Sequence, residues 1–269
     1  MKFIKKELKL LWYWVAEREK IRIKKERGDP KPWTKDPILR DNRFCNVQRE
    51  DDKVTIWIRE NWRIPYAGHP SIYIAMILAR LINWPPALEE IGFPIKWDYQ
   101  EYLRKLQNRK MRGDRIWGGA YMVTAGGKPI PKEEAVCDMV HGFYRSAYRP
   151  QQGDSLYRTW VGLMNQGVGG MGTFLAAQVV ADLKFTPLLE RSPDWWAFCA
   201  PGPGSQAGLN HLLGLPVAKE WNQPEFQDKV NELRVMMPLR LSAQDTQNCL
   251  CEFSKYKRGF GKTKYPGAA

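Results

Sequence analysis

The run Gln166-Gly167-Val168-Gly169-Gly170-Met171-Gly172 is the feature that most constrains this chain. Leu156–Met164 before it and Thr173–Leu183 after it both read as helices. Glycine enters positive φ without a Cβ clash, so the run predicts a tight turn between two helices, the layout of a helix-hairpin-helix element. The same glycines let backbone N–H groups at the start of the second helix approach a phosphate. Gly167, Gly169, Gly170 and Gly172 are therefore candidate DNA phosphate contacts that read no base sequence. A tight helix–helix turn whose glycines serve packing alone is an equally good reading of these residues.

The rest of the chain extends the helical pattern. Ile4, Leu8, Leu11 and Val15 recur at helical spacing in a segment holding ten Lys or Arg against four Glu, which Gly28-Asp29-Pro30 stops. Further helices are predicted near 42–61, 70–83, 97–109, 132–148, 156–164, 173–183, 205–213, 224–236 and 242–256, with Pro85-Pro86 ending the third element. Residues 117–125 are aromatic and β-branched and read as a strand or an irregular turn. The expectation is a mainly α protein, organised as a basic N-terminal helix (1–30), a helical catalytic domain (31–258) and a flexible basic tail (259–269).

Charge narrows the partners. The chain of 269 residues carries 42 Lys and Arg against 29 acids, net +13, which favours a polyanion. Five cysteines without a C-x-x-C pair point to a reduced setting, and three scattered histidines argue against a structural zinc site. No metal or cofactor is expected. The longest apolar run, residues 72–82, is too short to span a bilayer and contains Arg80. No signal-type stretch is seen, so a cytoplasmic location without membrane attachment is expected.

Three further constellations carry chemistry. Pro201-Gly202-Pro203-Gly204-Ser205 opens a helix with a second glycine-rich entry, making Gly202, Gly204 and Ser205 candidate phosphate contacts. Neither glycine-rich loop has a Walker lysine, and Gly261-Lys262-Thr263 lacks the first Walker glycine, so a P-loop is rejected. Between Arg40 and Lys53, a helix would align Asn42, Asn46, Arg49 and Lys53 on one face; a salt-bridged solvated face is the plainer reading. In the last helix Gln244, Asn248, Cys251 and Lys255 align, with Cys251 read as a small core residue.

Taken in order, Arg43-Phe44-x-Asn46-Val47-x-Arg49-Glu50-x-Asp52, Gly172-x-Phe174-Leu175-Ala176-x-Gln178 with Asp182-Leu183, Gly202-Pro203-Gly204-Ser205 with Gly208-Leu209, and Cys251-Glu252-Phe253-x-Lys255-Tyr256 resemble the alpha-glutamyl/putrescinyl thymine pyrophosphorylase family, related to the helical domain of 5-hydroxymethyluracil DNA kinases. The resemblance spans roughly residues 30–258. It implies a fold similar to helix-hairpin-helix DNA glycosylases. It also implies a phage transferase that displaces pyrophosphate from 5-pyrophosphoryloxymethyl-uracil in DNA and attaches an amine, an amino acid or a polyamine.

On that resemblance, Arg40, Arg43 and Arg49 with Asn46 are candidates to hold substrate and the departing pyrophosphate. Glu50, Asp52, Asp182 and Glu252 are candidate bases for the incoming amine. Lys255 is placed to meet a donor carboxylate. A base inside a duplex would be flipped out to be reached. Two other classes stay open: a DNA glycosylase or lyase of similar fold, and a non-enzymatic DNA-binding component of a modification complex.

Overall fold

The computed structural model describes residues 1–119 and 129–259. Among them the α-helices are α1 (Lys5–Glu26), α2 (Pro37–Asp41), α3 (Lys53–Ile58), α4 (Ile72–Ile82), α5 (Pro85–Ile91), α6 (Tyr99–Met111), α7 (Lys132–Arg145), α8 (Leu156–Met164), α9 (Thr173–Leu183), α10 (Pro203–Leu213), α11 (Gln223–Arg234) and α12 (Ala243–Lys257). A 3-10 turn at Arg49–Asp51 and a π-helical turn at Arg59–Arg63 complete them. The described residues contain no strand, so the mainly α expectation holds. None of their helices is long and apolar enough to cross a membrane. Most of the 117–125 segment, and all but the first residue of the expected tail, lie outside the described residues.

Two compact units divide the chain: Met1–Asp52 together with the part from Trp196 on, and Lys53–Trp195. In the first, α1 turns Leu8, Leu11, Trp14, Val15 and Ile21 into a core with Leu209 and Leu212 of α10, Phe226 and Val230 of α11, and Leu250 and Phe253 of α12. The three- and four-residue spacing of these apolar positions is what selects the helix. The opposite face of α1 is solvated and ion-paired, with Arg22 Nη1 2.6 Å from Glu26 Oε1.

Helices α10 and α12 meet closely. A Cβ on Gly208 would run into the Leu250 carbonyl, and one on Gly204 into the Cys251 sulfur. Only glycine permits this approach. Overpacking at such a contact costs about 1–3 kcal/mol.

In the second unit every residue of α4 is buried. A helix apolar on all sides belongs at the centre of its unit. Its one charge, Arg80, grips the Asp182 carboxylate of α9 through two nitrogens, with Nη2–Oδ1 at 2.6 Å. Thr55 Oγ1 accepts from Arg80 Nη2 at 3.1 Å, Asn83 Oδ1 accepts from Nη1 at 3.3 Å, and Arg63 lies 3.6 Å from Asp182.

Two predicted elements need correction. Residues 42–61 do not form one helix: Asn42 and Gln48 are extended, and helix resumes only at Lys53. The prolines at 85 and 86 open α5 instead of merely ending α4, which stops at Asn83 in the left-handed conformation (φ 50°). Proline suits a first helical turn because its missing N–H has no partner to lose there.

Gly208→Ala is expected to lower unfolding stability by about 1–3 kcal/mol in urea melts. Asp182→Ala leaves two buried guanidinium groups facing an empty site, and a loss of about 3–5 kcal/mol is expected. A loss below about 1 kcal/mol in either variant would contradict these packing arguments.

Candidate active site

The polar cluster of the first unit is built on residues 43–52, which have no helix before the 3-10 turn at Arg49–Asp51. Arg18, buried on α1, donates from Nε to the Cys45 carbonyl (3.0 Å), and from Nη2 to the Phe44 carbonyl (3.2 Å) and Asn46 Oδ1 (2.5 Å). From α12, Glu252 Oε2 accepts from the Cys45 N–H (3.1 Å), and Asn248 Nδ2 donates to the Asn46 carbonyl (3.1 Å). Asp52 Oδ1 accepts from the Asn46 N–H (2.9 Å), closing the segment on itself. Asp245 caps α12 by accepting from Ser242 and also accepts from the Arg49 N–H (3.2 Å).

Asn46, Arg49, Glu50, Asp52, Glu252 and Lys255 thus all belong to this unit, and four of them, Asn46, Arg49, Asp52 and Glu252, form the contacts just described. Glu50 is half-buried in the 3-10 turn. Lys255 pairs with Glu252. Arg40 and Arg43 are exposed and line a cavity of about 520 Å³. Asp182 belongs to the other unit, held by Arg80 and Arg63.

The electrostatics are those of a sparsely solvated site. Burial raises the Asp52 carboxyl above its ordinary value, and the nearby Glu252 charge adds to this; the Asn46 N–H, Arg49 and Arg18 oppose it. Burial pulls against the Arg18 charge and lowers its value despite Asp52 and Glu252. Burial also disfavours the Lys255 ammonium, but Glu252 more than offsets it, so Lys255 is held above its usual range. Cys45 and Cys251 are both pushed up by burial first, which disfavours the thiolate a nucleophile needs.

The glycine-rich turns differ. Between α8 and α9, Gly167 (φ 67°) and Gly170 (φ 91°) occupy the left-handed region, while Gly169 and Gly172 face open space. Gly172 caps α9 with no side chain on the helix end, and Met171 anchors the turn in the core. The second turn is spent internally. Buried Ser205 Oγ accepts from the Gly202 N–H (3.1 Å) and Gly204 packs on Cys251.

A family model described as the helical domain of 5-hmdU DNA kinase matches residues 5–264. The chain belongs to that family. The likeness drawn from the motifs is borne out at this level. The 5-hmdU DNA kinase of Bacillus phage SP10 is 27% identical over 119 residues, covering 41% of this chain and 19% of that relative. The match to this relative therefore takes in well under half of its length. No solved structure matches.

Arg18 was missed as a contributor to this cluster, as was Cys45, while Asn248 was read only as part of the polar edge of the last helix. The signal for Arg18 was present: it falls at the next core position after Leu11, Trp14 and Val15, where a charge demands buried partners.

A carboxyl raised in the folded state binds more protons there than in the unfolded chain. Its contribution to stability is therefore full below the unfolded value and lost as pH rises through the folded one. Compared with Asp52→Asn, which keeps an acceptor for the Asn46 N–H, the wild-type protein is expected to gain relative stability as pH falls from 8 towards about 4. Thermal melts across that range read it, and a constant difference would contradict the burial of Asp52.

Proposed function

We propose that this chain is a DNA-modifying transferase acting on pyrophosphorylated 5-hydroxymethyluracil in phage DNA. The observation that carries the reading is the convergence of the 43–52 and 251–256 motifs into one half-buried cluster with a raised carboxyl, Asp52. Raised carboxyls beside charged partners are the groups that serve as bases near neutral pH.

The amine nitrogen bonds to the 5-methylene carbon as the carbon–oxygen bond to pyrophosphate breaks. The bonding pair leaves with the pyrophosphate oxygen, and the proton shed by the amine passes to Asp52, with Glu252 orienting the segment around it. Arg49, whose charge acts on Asp52, stabilises the charge on the departing group, while Arg40 and Arg43, exposed at the neighbouring cavity, bind the substrate's phosphates. Arg18 supplies a further donor, since its Nη1 is buried with no hydrogen-bond partner. Lys255, paired with Glu252, is the cation nearest to hand for the carboxylate of an amino acid donor. The glycine turn between α8 and α9 offers backbone N–H groups to DNA phosphate, in the manner of a helix-hairpin-helix element.

The test incubates the protein with DNA carrying 5-pyrophosphoryloxymethyl-uracil and a pool of amino acids and polyamines, then digests to nucleosides for mass spectrometry. A new nucleoside with the mass of one amine adduct is expected. Asp52→Asn is expected to slow its formation by about 10²–10⁴-fold while DNA binding persists. No adduct from folded protein, with amines and divalent metal varied, would sink the proposal.

A further inference from the structure

The cavity in the first unit has a chemistry of its own. Four cations line it, Lys25, Lys31, Arg40 and Arg43, against one carboxylate, Asp41. Asp41 and Arg40 offset each other, 2.7 Å apart at Arg40 Nε, which leaves a net excess of three positive charges on the cavity. At about 520 Å³ the space lies in the range of small-molecule sites.

One wall is aromatic. The Trp33 indole donates from Nε1 to the Asp29 carbonyl (2.7 Å), and its own carbonyl accepts from Lys24 (2.9 Å), so the ring is fixed in place. The Lys25 and Lys31 ammonium groups lie 4.7 and 5.0 Å from its centroid. A fixed ring held under two ammonium groups on long exposed stems, with two arginines on the same cavity, matches a ligand whose phosphates draw the lysines off the ring and whose flat heterocycle takes their place on it. A bare anion would have no use for the indole, and an apolar ligand none for the cations.

We propose that this cavity binds a nucleotide, with an unpaired base on Trp33 and its phosphates on Lys25, Lys31, Arg40 and Arg43. The inference rests on the reading of this unit as the DNA-modifying one and names where the nucleotide is held. Ile21 and Lys25 follow Arg18 on one face of α1 at spacings of three and four. The cavity and the Asp52 cluster therefore share that face, about 10 Å apart along the helix by its rise per residue.

The experiment measures binding of a fluorescent, unmodified oligothymidylate by polarisation across a salt titration, so no turnover is needed. The exposed pair Lys25→Glu/Lys31→Glu is expected to weaken binding at least about tenfold and to flatten the dependence of log K on log salt by about 1.4, the value for two phosphate contacts on a single strand. Trp33→Ala is expected to lose about tenfold with the salt slope unchanged, and Trp33→Phe to retain most of the affinity. Melting curves confirm that each variant is folded. Wild-type affinity and slope in all variants, or no binding by the wild-type protein, would overturn the proposal. Displacement by free thymidine diphosphate supports it with a free nucleotide as source; failure to displace, with the variants still impaired, supports it with the strand as source. Cavity-dependent binding without any adduct in the mass-spectrometric test would sink the transferase chemistry and leave this site standing.

Discussion

An extended stretch of chain inside a helical protein must find partners for its backbone polar groups outside any helix ladder. Residues 43–48 are that stretch, and their solution organises the first unit. Arg18 reaches the carbonyls from α1, while Glu252 and Asn248 reach an N–H and a carbonyl from α12. Losing one of these side chains strands a buried donor or acceptor, which costs about 1–3 kcal/mol. Charge is brought indoors to do it, and the same burial that raises Asp52 weakens the hold of Arg18 on its proton. Structural need and chemical competence come from one set of residues.

Each unit buries an arginine among the apolar positions of a helix, Arg80 on α4 and Arg18 on the core face of α1, and the two solve the problem differently. Arg80 meets a full carboxylate, Asp182, plus hydroxyl and amide acceptors. That arrangement neutralises charge and favours rigidity. Arg18 meets mostly carbonyl and amide oxygens and keeps one nitrogen unpartnered, with carboxylates acting on it at longer range. Its charge is less fully compensated than that of Arg80.

Much of the helical frame was legible in the sequence. Helices α8 and α9 begin and end where periodicity and the intervening glycines place them, because both signals are local. The 42–61 stretch misled in its first part: the polar residues have helical spacing, yet partners more than two hundred residues away, Asn248 and Glu252, bond the extended backbone at Asn46 and Cys45. No local pattern carries that information. The glycines of 202–208 likewise look alike in sequence, and only the approach of α12 separates the packing role of Gly204 and Gly208 from an anion-binding one. Candidate residues 46, 49, 50, 52, 252 and 255 fall in one unit despite being read as two separate constellations, whereas the aromatic wall at Trp33 rests on contacts with α1 and the Asp29 turn that spacing does not encode.

The division of the chain has a consequence for biogenesis. The second unit is one uninterrupted run, Lys53–Trp195, and all its partners have been synthesised once that run is complete. The first unit is written in two instalments. Helix α1 emerges early with Leu8, Leu11 and Trp14 arrayed for a core whose other walls, α10 to α12, are translated about two hundred residues later. At ribosomal speeds of about 5–20 residues per second that delay is about 10–40 s. During it a basic, half-apolar helix waits without its partners, so assembly of the cluster is paced by elongation and by whatever shields α1 in the interval.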